Sequence, residues 1–272
     1  MSALDQATRA SRALPFPAGA GLARHVVARN VTAFRRAWLI FLSGFAEPVL
    51  YLFSLGVGLG AIVGDVETEY GNAVPYAAFV APAMLAASAM NGAIYDSTFN
   101  VFFKLRYQRL YDAMLATPVG PRDIAVGEIT WSLMRGTLYS AMFLLVALAA
   151  GLVRSWWALL ALPGAVLIGL AFGAIGMFAT TYMTTWQHFE FVTLAAQPMF
   201  LFSATFFPLS TYPAPVQWVV QATPLYHGVE LERALMLGEV DRGILVHVAY
   251  LLVLGAVGVL GASRRIEKLL LT

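Results

Sequence analysis

Four ionisable side chains, Glu47, Asp96, Glu128 and Arg135, lie inside long apolar stretches of this sequence. A charged group inside a lipid bilayer is costly, so residues of this kind are functional candidates. Glu47 is followed directly by a proline, which frees a backbone carbonyl and bends a helix. Each of the four has two interpretations, a buried structural pair or the lining of a polar pathway, and the residues alone do not decide between them.

The spacing of these charges limits how they can pair. Glu128 and Arg135 lie two turns apart on one helical face, roughly 10 Å by helical rise, so we expect each to have another partner. His247 lies one turn into a later apolar stretch, and its position is more typical of a hydrogen-bonded core histidine than of a proton relay.

Several chemistries are missing from the chain. Its only lysines are Lys104 and Lys268, and neither follows a glycine, so a phosphate-binding P-loop cannot exist here. There is no cysteine, which excludes disulfides and thiolate sites. No HExxH or carboxylate-rich metal motif appears, and we predict no catalytic residue and no metal. Passage across a membrane is therefore a better hypothesis than enzymatic turnover.

Composition indicates the class of protein. Of the 272 residues, 60% are hydrophobic and 12% charged, against about 25% charged in soluble domains. A soluble core of this size could not bury so much apolar surface. Since a spanning helix needs about 20 apolar residues, we predict an all-α integral membrane protein with six transmembrane helices, at 38–63, 75–102, 128–151, 157–183, 190–207 and 243–262.

The basic residues indicate the orientation. Six arginines precede Trp38, four Lys or Arg lie in 104–126, and three follow Ser263, out of 17 in the chain. The positive-inside rule then puts both termini in the cytoplasm, and it puts the acidic loop 64–72 outside. The net charge of +2 is too small to suggest a nucleic-acid partner.

The chain divides into four predicted parts. Residues 1–19 form a flexible tail, and residues 20–37 form an amphipathic interfacial helix with Ala23, Val27, Val31 and Phe34 on one face. Residues 38–262 form a single six-span domain, and 263–272 form a cytoplasmic tail.

Two polar segments are too regular to be simple connectors. In the cytoplasmic loop 104–126, Tyr107, Leu110, Tyr111 and Met114 follow helical spacing, which predicts a short helix at 105–117. This helix is either solvated or pressed into a groove on a cytoplasmic protein. In the external segment 208–242, prolines interrupt apolar pieces too short to span, which predicts re-entrant helices.

With these segments the chain resembles the permease subunits of ABC-2-type exporters, and among them the nodulation-factor (NodJ-like) lipo-oligosaccharide permeases, whose relatives move glycans, lipids or drugs. The resemblance covers about residues 20–265. It is carried by the order of several stretches: Glu47-Pro48, the glycine-rich 55–60, the loop ending 113–119, Asp123 to Glu128, and the external run from Phe207-Pro208-Leu209 through 224–231 to Leu237-Gly238.

The resemblance implies a machine with further subunits. Family members have six spans, work as dimers of permeases, either identical or paralogous, and bind two separate ATP-hydrolysing subunits that carry ATP and Mg²⁺. The loop helix would be the coupling helix seated on the ATPase, with Arg106, Arg109, Leu110, Tyr111, Asp112, Met114 and Leu115 as its coupling residues. The external helices would cap a path between two permeases in the bacterial plasma membrane.

The predicted function is the export of a lipid-linked, glycan or hydrophobic drug-like substrate, driven by ATP hydrolysis in the partner. The candidate pathway residues are Glu47 and six aromatic side chains: Tyr51, Phe53, Tyr95, Phe99, Phe202 and Phe206. The alternative is a proton-coupled secondary transporter that uses Glu47, Asp96 and His247.

Overall fold

The computed structural model describes residues 20–35, 38–69 and 71–271, and within them the chain is almost entirely helical. The predicted tail 1–19 and residues 36–37 lie outside the described residues. The helices are α1 (Ala20–Arg35), α2 (Trp38–Phe53), α3 (Gly60–Val63), α4 (Tyr76–Tyr95), α5 (Leu110–Leu115), α6 (Pro121–Ala149), α7 (Ala161–Thr180), α8 (Phe189–Phe202), α9 (Ala214–Ala222), α10 (Pro224–Leu237) and α11 (Ile244–Leu271).

Five helical stretches in the described residues are long and apolar enough to cross a membrane: Ala46–Val63, Tyr76–Tyr107, Pro121–Ala149, Trp156–Thr180 and Ile244–Leu269. They correspond to five of the six predicted spans. The stretch predicted at 190–207 forms α8, which has 14 residues, fewer than the about 20 that a span needs. The structure thus supports several membrane-crossing helices, and the count of six stays a prediction.

The second span is the centre of the bundle. Every residue from Val80 to Met90 is buried, and α4 packs against α2, α6, α7 and α10. Its alanine-rich sequence suits this position, because small side chains let neighbouring backbones come close in lipid. Two π-helical segments, Asp96–Asn100 and Phe103–Tyr107, carry the same helix onward into the predicted coupling loop.

The segment after α8 is more deeply buried than the sequence suggested. The sequence predicts only short re-entrant helices in 208–242, whereas α10 begins at Pro224 and is buried from Leu225 to Met236. The two ends of α10 have ordinary helix caps. The Thr223 hydroxyl accepts a hydrogen bond from the Tyr226 amide, and Gly238 ends the helix in a left-handed conformation. The helix is a core element that packs on α4, α7 and α11.

The outer loop departs from the all-α prediction. Residues Asp65–Glu67 (β1) and Ala73–Pro75 (β2) form a small antiparallel hairpin. Its turn is tied to the segment after α10, because Thr68 Oγ1 and Asn72 Nδ2 both donate to Glu239 Oε1, at 2.6 and 2.8 Å. The acidic loop is therefore an ordered structure that contacts the segment after α10.

The two terminal helices differ in detail from the predictions. The fully buried residues of α1 are Ala23, Val26 and Asn30, because α1 packs against α6. Of the predicted stripe, Ala23 is therefore buried, whereas Val27, Val31 and Phe34 are partly buried. At the other end, α11 continues through the predicted tail, and Ile266 is buried.

Gly258 lies where two spans approach each other closely. A Cβ there would lie 2.6 Å from the carbonyl carbon of Ala174, and backbone cannot move aside as a side chain can. We expect Gly258→Ala to lower the free energy of unfolding by about 1–3 kcal/mol, measured as a lower unfolding temperature of the purified chain in detergent. Gly21→Ala is the matched control, since nothing lies within 4 Å of its Cβ position. Equal unfolding temperatures for the two variants would contradict this packing.

Candidate functional site

Two ion pairs join the second and third spans, and they involve three of the four intramembrane charges, Asp96, Glu128 and Arg135. Arg135 Nη1 lies 2.7 Å from Asp96 Oδ1, and Lys104 Nζ lies 2.7 Å from Glu128 Oε2. The expectation that Glu128 and Arg135 have separate partners is therefore confirmed. Both carboxylates belong to side chains only 2% exposed, so each is neutralised by its partner inside the fold.

The Asp96–Arg135 pair is part of a wider network. Arg135 also donates to the Tyr139 hydroxyl at 2.8 Å, and its guanidinium lies 4.6 Å from the centre of the Phe34 ring. Asn100 donates to the same oxygen of Asp96. This network connects α1, α6 and the second span, and it leaves Asp96 Oδ2 and Arg135 Nε without a hydrogen-bond partner among the described residues.

The second pair lies at the junction with the amphipathic helix. Asn30 Nδ2 donates to Glu128 Oε2 at 3.0 Å, and Lys104 Nζ donates to Asn30 Oδ1 at 3.1 Å. Three elements meet at this carboxylate, which explains why a polar residue is buried on the inner face of α1. The sequence analysis did not identify Asn30 or Lys104 as partners of Glu128, because the pairing depends on how α1 and the second span pack on α6.

A cavity of about 590 Å³ opens between α2, α4, α6 and α8. Four of the seven predicted pathway residues line it: Glu47, Tyr51, Tyr95 and Phe99. Its wall also contains Arg135, Tyr139 and side chains that the sequence analysis did not single out, among them Asn91, Thr98, Phe189, Gln197 and Phe200. The combination of aromatic faces with a few polar groups is typical of small-molecule sites.

The other three predicted pathway residues do not line this cavity. Phe206 packs edge-on against Phe200 at 5.3 Å, and Phe202 packs beside Tyr212. Phe53 is half exposed on α2. Their positions in the sequence resemble those of the lining residues, but their side chains do not face the cavity.

The predicted coupling helix is shorter than expected. Residues 103–107 continue the second span, Arg109 takes a left-handed conformation with φ of 46°, and α5 covers only Leu110–Leu115. Within the predicted coupling set, the exposed residues are Arg106, Arg109 and Asp112, whereas Leu110, Met114 and Leu115 are partly buried. These six stay candidates for contact with a partner.

Tyr111 is the exception in that set, since it is 1% exposed and packs with Ile124, Ile129 and Ile266. Burial first, and then the nearby Glu128 carboxylate, raise the pKa of its hydroxyl well above the ordinary value. The prediction that this ring contacts a partner directly is therefore wrong for this structure. Its aromatic face fixes α5 onto the chain's own core.

Two further polar features in the described residues lie outside the cavity. His227 on α10 and His247 on α11 approach within 2.8 Å through their Nδ1 atoms, so His247 is hydrogen-bonded, as predicted, but only partly buried. Burial and the neighbouring His247 lower the pKa of His227 to about 4. Glu232 on α10 is fully buried, and neither carboxyl oxygen has a hydrogen-bond partner. Within the described ranges no three metal-ligating side chains converge.

Comparisons with known proteins agree with this architecture. Residues 22–237 match the family model described as ABC-2 type transporter. The chain is 37% identical to nodulation protein J of Rhizobium leguminosarum bv. viciae over 226 residues, covering 82% of this chain and 85% of the relative. It is 38% identical to nodulation protein J of R. leguminosarum bv. trifolii, with coverage of 82% and 84%. It is also 25% identical to the inner membrane transport permease YadH of Escherichia coli, with coverage of 75% and 78%.

The Asp96–Arg135 pair generates a prediction for stability. Removing one partner leaves an uncompensated buried charge, so we expect Asp96→Ala and Arg135→Met each to cost about 3–5 kcal/mol. The double variant should cost clearly less than the sum of the two, because no lone charge remains. Thermal unfolding of the three purified variants provides the measurement. Additive losses would mean that the two side chains do not stabilise each other.

Glu232 generates a prediction for pH dependence. Burial raises the pKa of its carboxyl well above the ordinary value, so the folded chain holds this proton at pH values where the unfolded chain has released it. The stability should therefore fall as the pH rises above the ordinary carboxyl range. Glu232→Gln should remove this part of the decline in unfolding temperature between about pH 5 and pH 8. Glu67→Gln, at an exposed position on β1, should leave the decline unchanged, and identical profiles for the two variants would contradict the assignment.

Proposed function

The chain belongs to the ABC-2 type transporter family, and on that premise we propose that it is the permease subunit of an ATP-driven exporter whose ATPases are separate polypeptides. The observation that carries the proposal is a multi-span family fold in a sequence without a P-loop. Such a chain has no P-loop with which to hold the nucleotide phosphates. ATP and Mg²⁺ then reside on two ATP-binding cassette partners, and this chain is not an enzyme by itself.

We propose that the cavity between α2, α4, α6 and α8 forms part of the substrate path. It lies within the helical bundle and combines aromatic rings with hydrogen-bonding side chains, so a molecule with both apolar and polar parts would find partners there. Relatives named nodulation protein J and transport permease agree with a transported substrate. The proposed class is a lipid-linked, glycan or hydrophobic drug-like molecule that leaves across the bacterial inner membrane.

The loop between the second and third spans is the proposed docking point for the ATPase. Its exposed surface carries Arg106, Arg109 and Asp112, while Tyr111 anchors α5 beside Glu128. Glu128, beside this loop, and Arg135, in the cavity wall, both lie on α6 and are about 10 Å apart along its axis. A displacement of the loop would therefore reach the cavity wall through this one helix. ATP binding would bias this element between two states.

The proposed assembly contains a second permease protomer, identical or paralogous. α8 has no buried residue in the described protomer, and α2 exposes Leu50 and Phe53, so both helices present apolar surface that a second copy or lipid would cover. The positive-inside pattern supports cytoplasmic termini, with the hairpin and the segment 208–242 on the outer side.

The proton-coupled alternative receives less support. Among its three residues, Asp96 is held by Arg135 and His247 by His227, while Glu47 alone lines the cavity. A relay would need these groups to exchange protons along one route.

The docking proposal predicts the outcome of one substitution. Asp112→Arg reverses an exposed charge on α5 without disturbing the core beneath it, so we expect loss of co-purification with the cognate ATPase and of ATP-dependent transport in proteoliposomes. The control is Arg264→Glu, an exposed charge reversal on α11, which should keep both activities. Undiminished co-purification of Asp112→Arg would contradict the docking point, and uptake driven by a pH gradient without ATP would contradict the proposed function.

A further inference from the structure

The charges around the cavity do not balance. Arg135 forms an ion pair with Asp96 at 2.7 Å, so its positive charge is already neutralised within the wall. Glu47, also in the wall, forms no hydrogen bond or ion pair with any residue that the structure describes. Among the described residues, the cavity therefore presents one formal negative charge that no protein side chain pairs with.

Aromatic rings surround the same space. Tyr95 stacks on Phe99 with ring centres 5.3 Å apart, and Phe189 lies 5.3 Å from Phe99 on another side. Tyr51, one turn beyond Glu47, lies 6.0 Å from Phe200. The faces of such rings attract cations, so the rings and the carboxylate favour the same kind of guest.

The remaining polar groups are neutral hydrogen-bonding side chains. Asn91 and Gln197 bring amides to the wall, and Thr98 brings a hydroxyl. Amides donate and accept, so they suit hydroxyl groups on a ligand. An anionic head group would instead meet Glu47 with no free cation to offset the repulsion.

We propose that this cavity binds the amine-bearing, cationic head group of an amphiphile, with the ammonium paired to Glu47 and its hydroxyl groups on the amides. The apolar tail lies against Val192, Ala196 and Phe200, the apolar side chains that α8 brings to the cavity wall. This inference rests on the proposed function and narrows its substrate class. Glu47 is a specificity residue.

A matched pair of probes tests the charge preference. Dodecyl glucosaminide and its N-acetylated counterpart share the tail and the hydroxyl groups, and only the first carries an ammonium. Binding of each radiolabelled probe to the purified full chain is measured by equilibrium dialysis in nanodiscs of zwitterionic lipid. We expect the glucosaminide to bind about tenfold more tightly, and Glu47→Gln to remove that difference while leaving the N-acetylated probe unaffected.

Three controls keep the result interpretable. Glu190→Gln changes an exposed carboxyl at the start of α8 that does not line the cavity, and it should bind both probes as the unchanged chain does. Glu47→Asp retains the charge and should retain most of the preference. The unfolding temperature of Glu47→Gln reports whether the variant is folded.

The possible results separate this inference from the proposed function. Equal affinity for the two probes, or a preference that survives in Glu47→Gln, overturns the inference even if ATP-dependent transport is present. A preference that depends on Glu47, found without any ATP-dependent transport, supports the binding site and overturns the exporter.

Discussion

The crossed arrangement of two ion pairs fixes how the second and third spans lie against each other. The second span carries Asp96 and then Lys104, and the third carries Glu128 and then Arg135, so each helix has one charge of each sign. The helices run in opposite directions, and only one register brings each acid next to its own base. A slip of one or two turns would separate the pairs and leave charges unpaired at low dielectric, which is a severe cost.

Most of the functional architecture depends on that register. It brings Arg135 and Tyr139 into the cavity wall, and it sets the start of α6 against α1 and the coupling loop. The charges that looked like transport residues thus have a structural role first. Glu47, which belongs to neither pair, lines the cavity and is the carboxylate of the proposed ligand site.

Some of this could be read from the sequence because the signals are local. Hydropathy located five spanning helices, and helical spacing showed that Glu128 and Arg135 could not pair with each other. The partners themselves could not be read, since Asn30 meets Glu128 across 98 residues of chain. Of the predicted aromatic liners, Tyr95 and Phe99 line the cavity but Phe202 and Phe206 do not. In a fully apolar helix the sequence has no polar–apolar periodicity, so it does not show which side chains face the cavity. The burial of α10 could not be read from the sequence either, because its charged residues Glu230 and Arg233 pair with each other inside the fold.

The burial of Tyr111 has a consequence for how such loops can be exchanged between relatives. One side of α5 faces outward, but the other is built into a core formed with Ile124, Ile129 and Ile266, residues that lie on two different spans. A loop transplanted alone would carry its outward surface and lose the inward fit. If α5 is the docking point, as proposed, recognition of the ATPase and packing of the chain are inherited together, and a chimera that changes the ATPase must also bring the ends of α6 and α11.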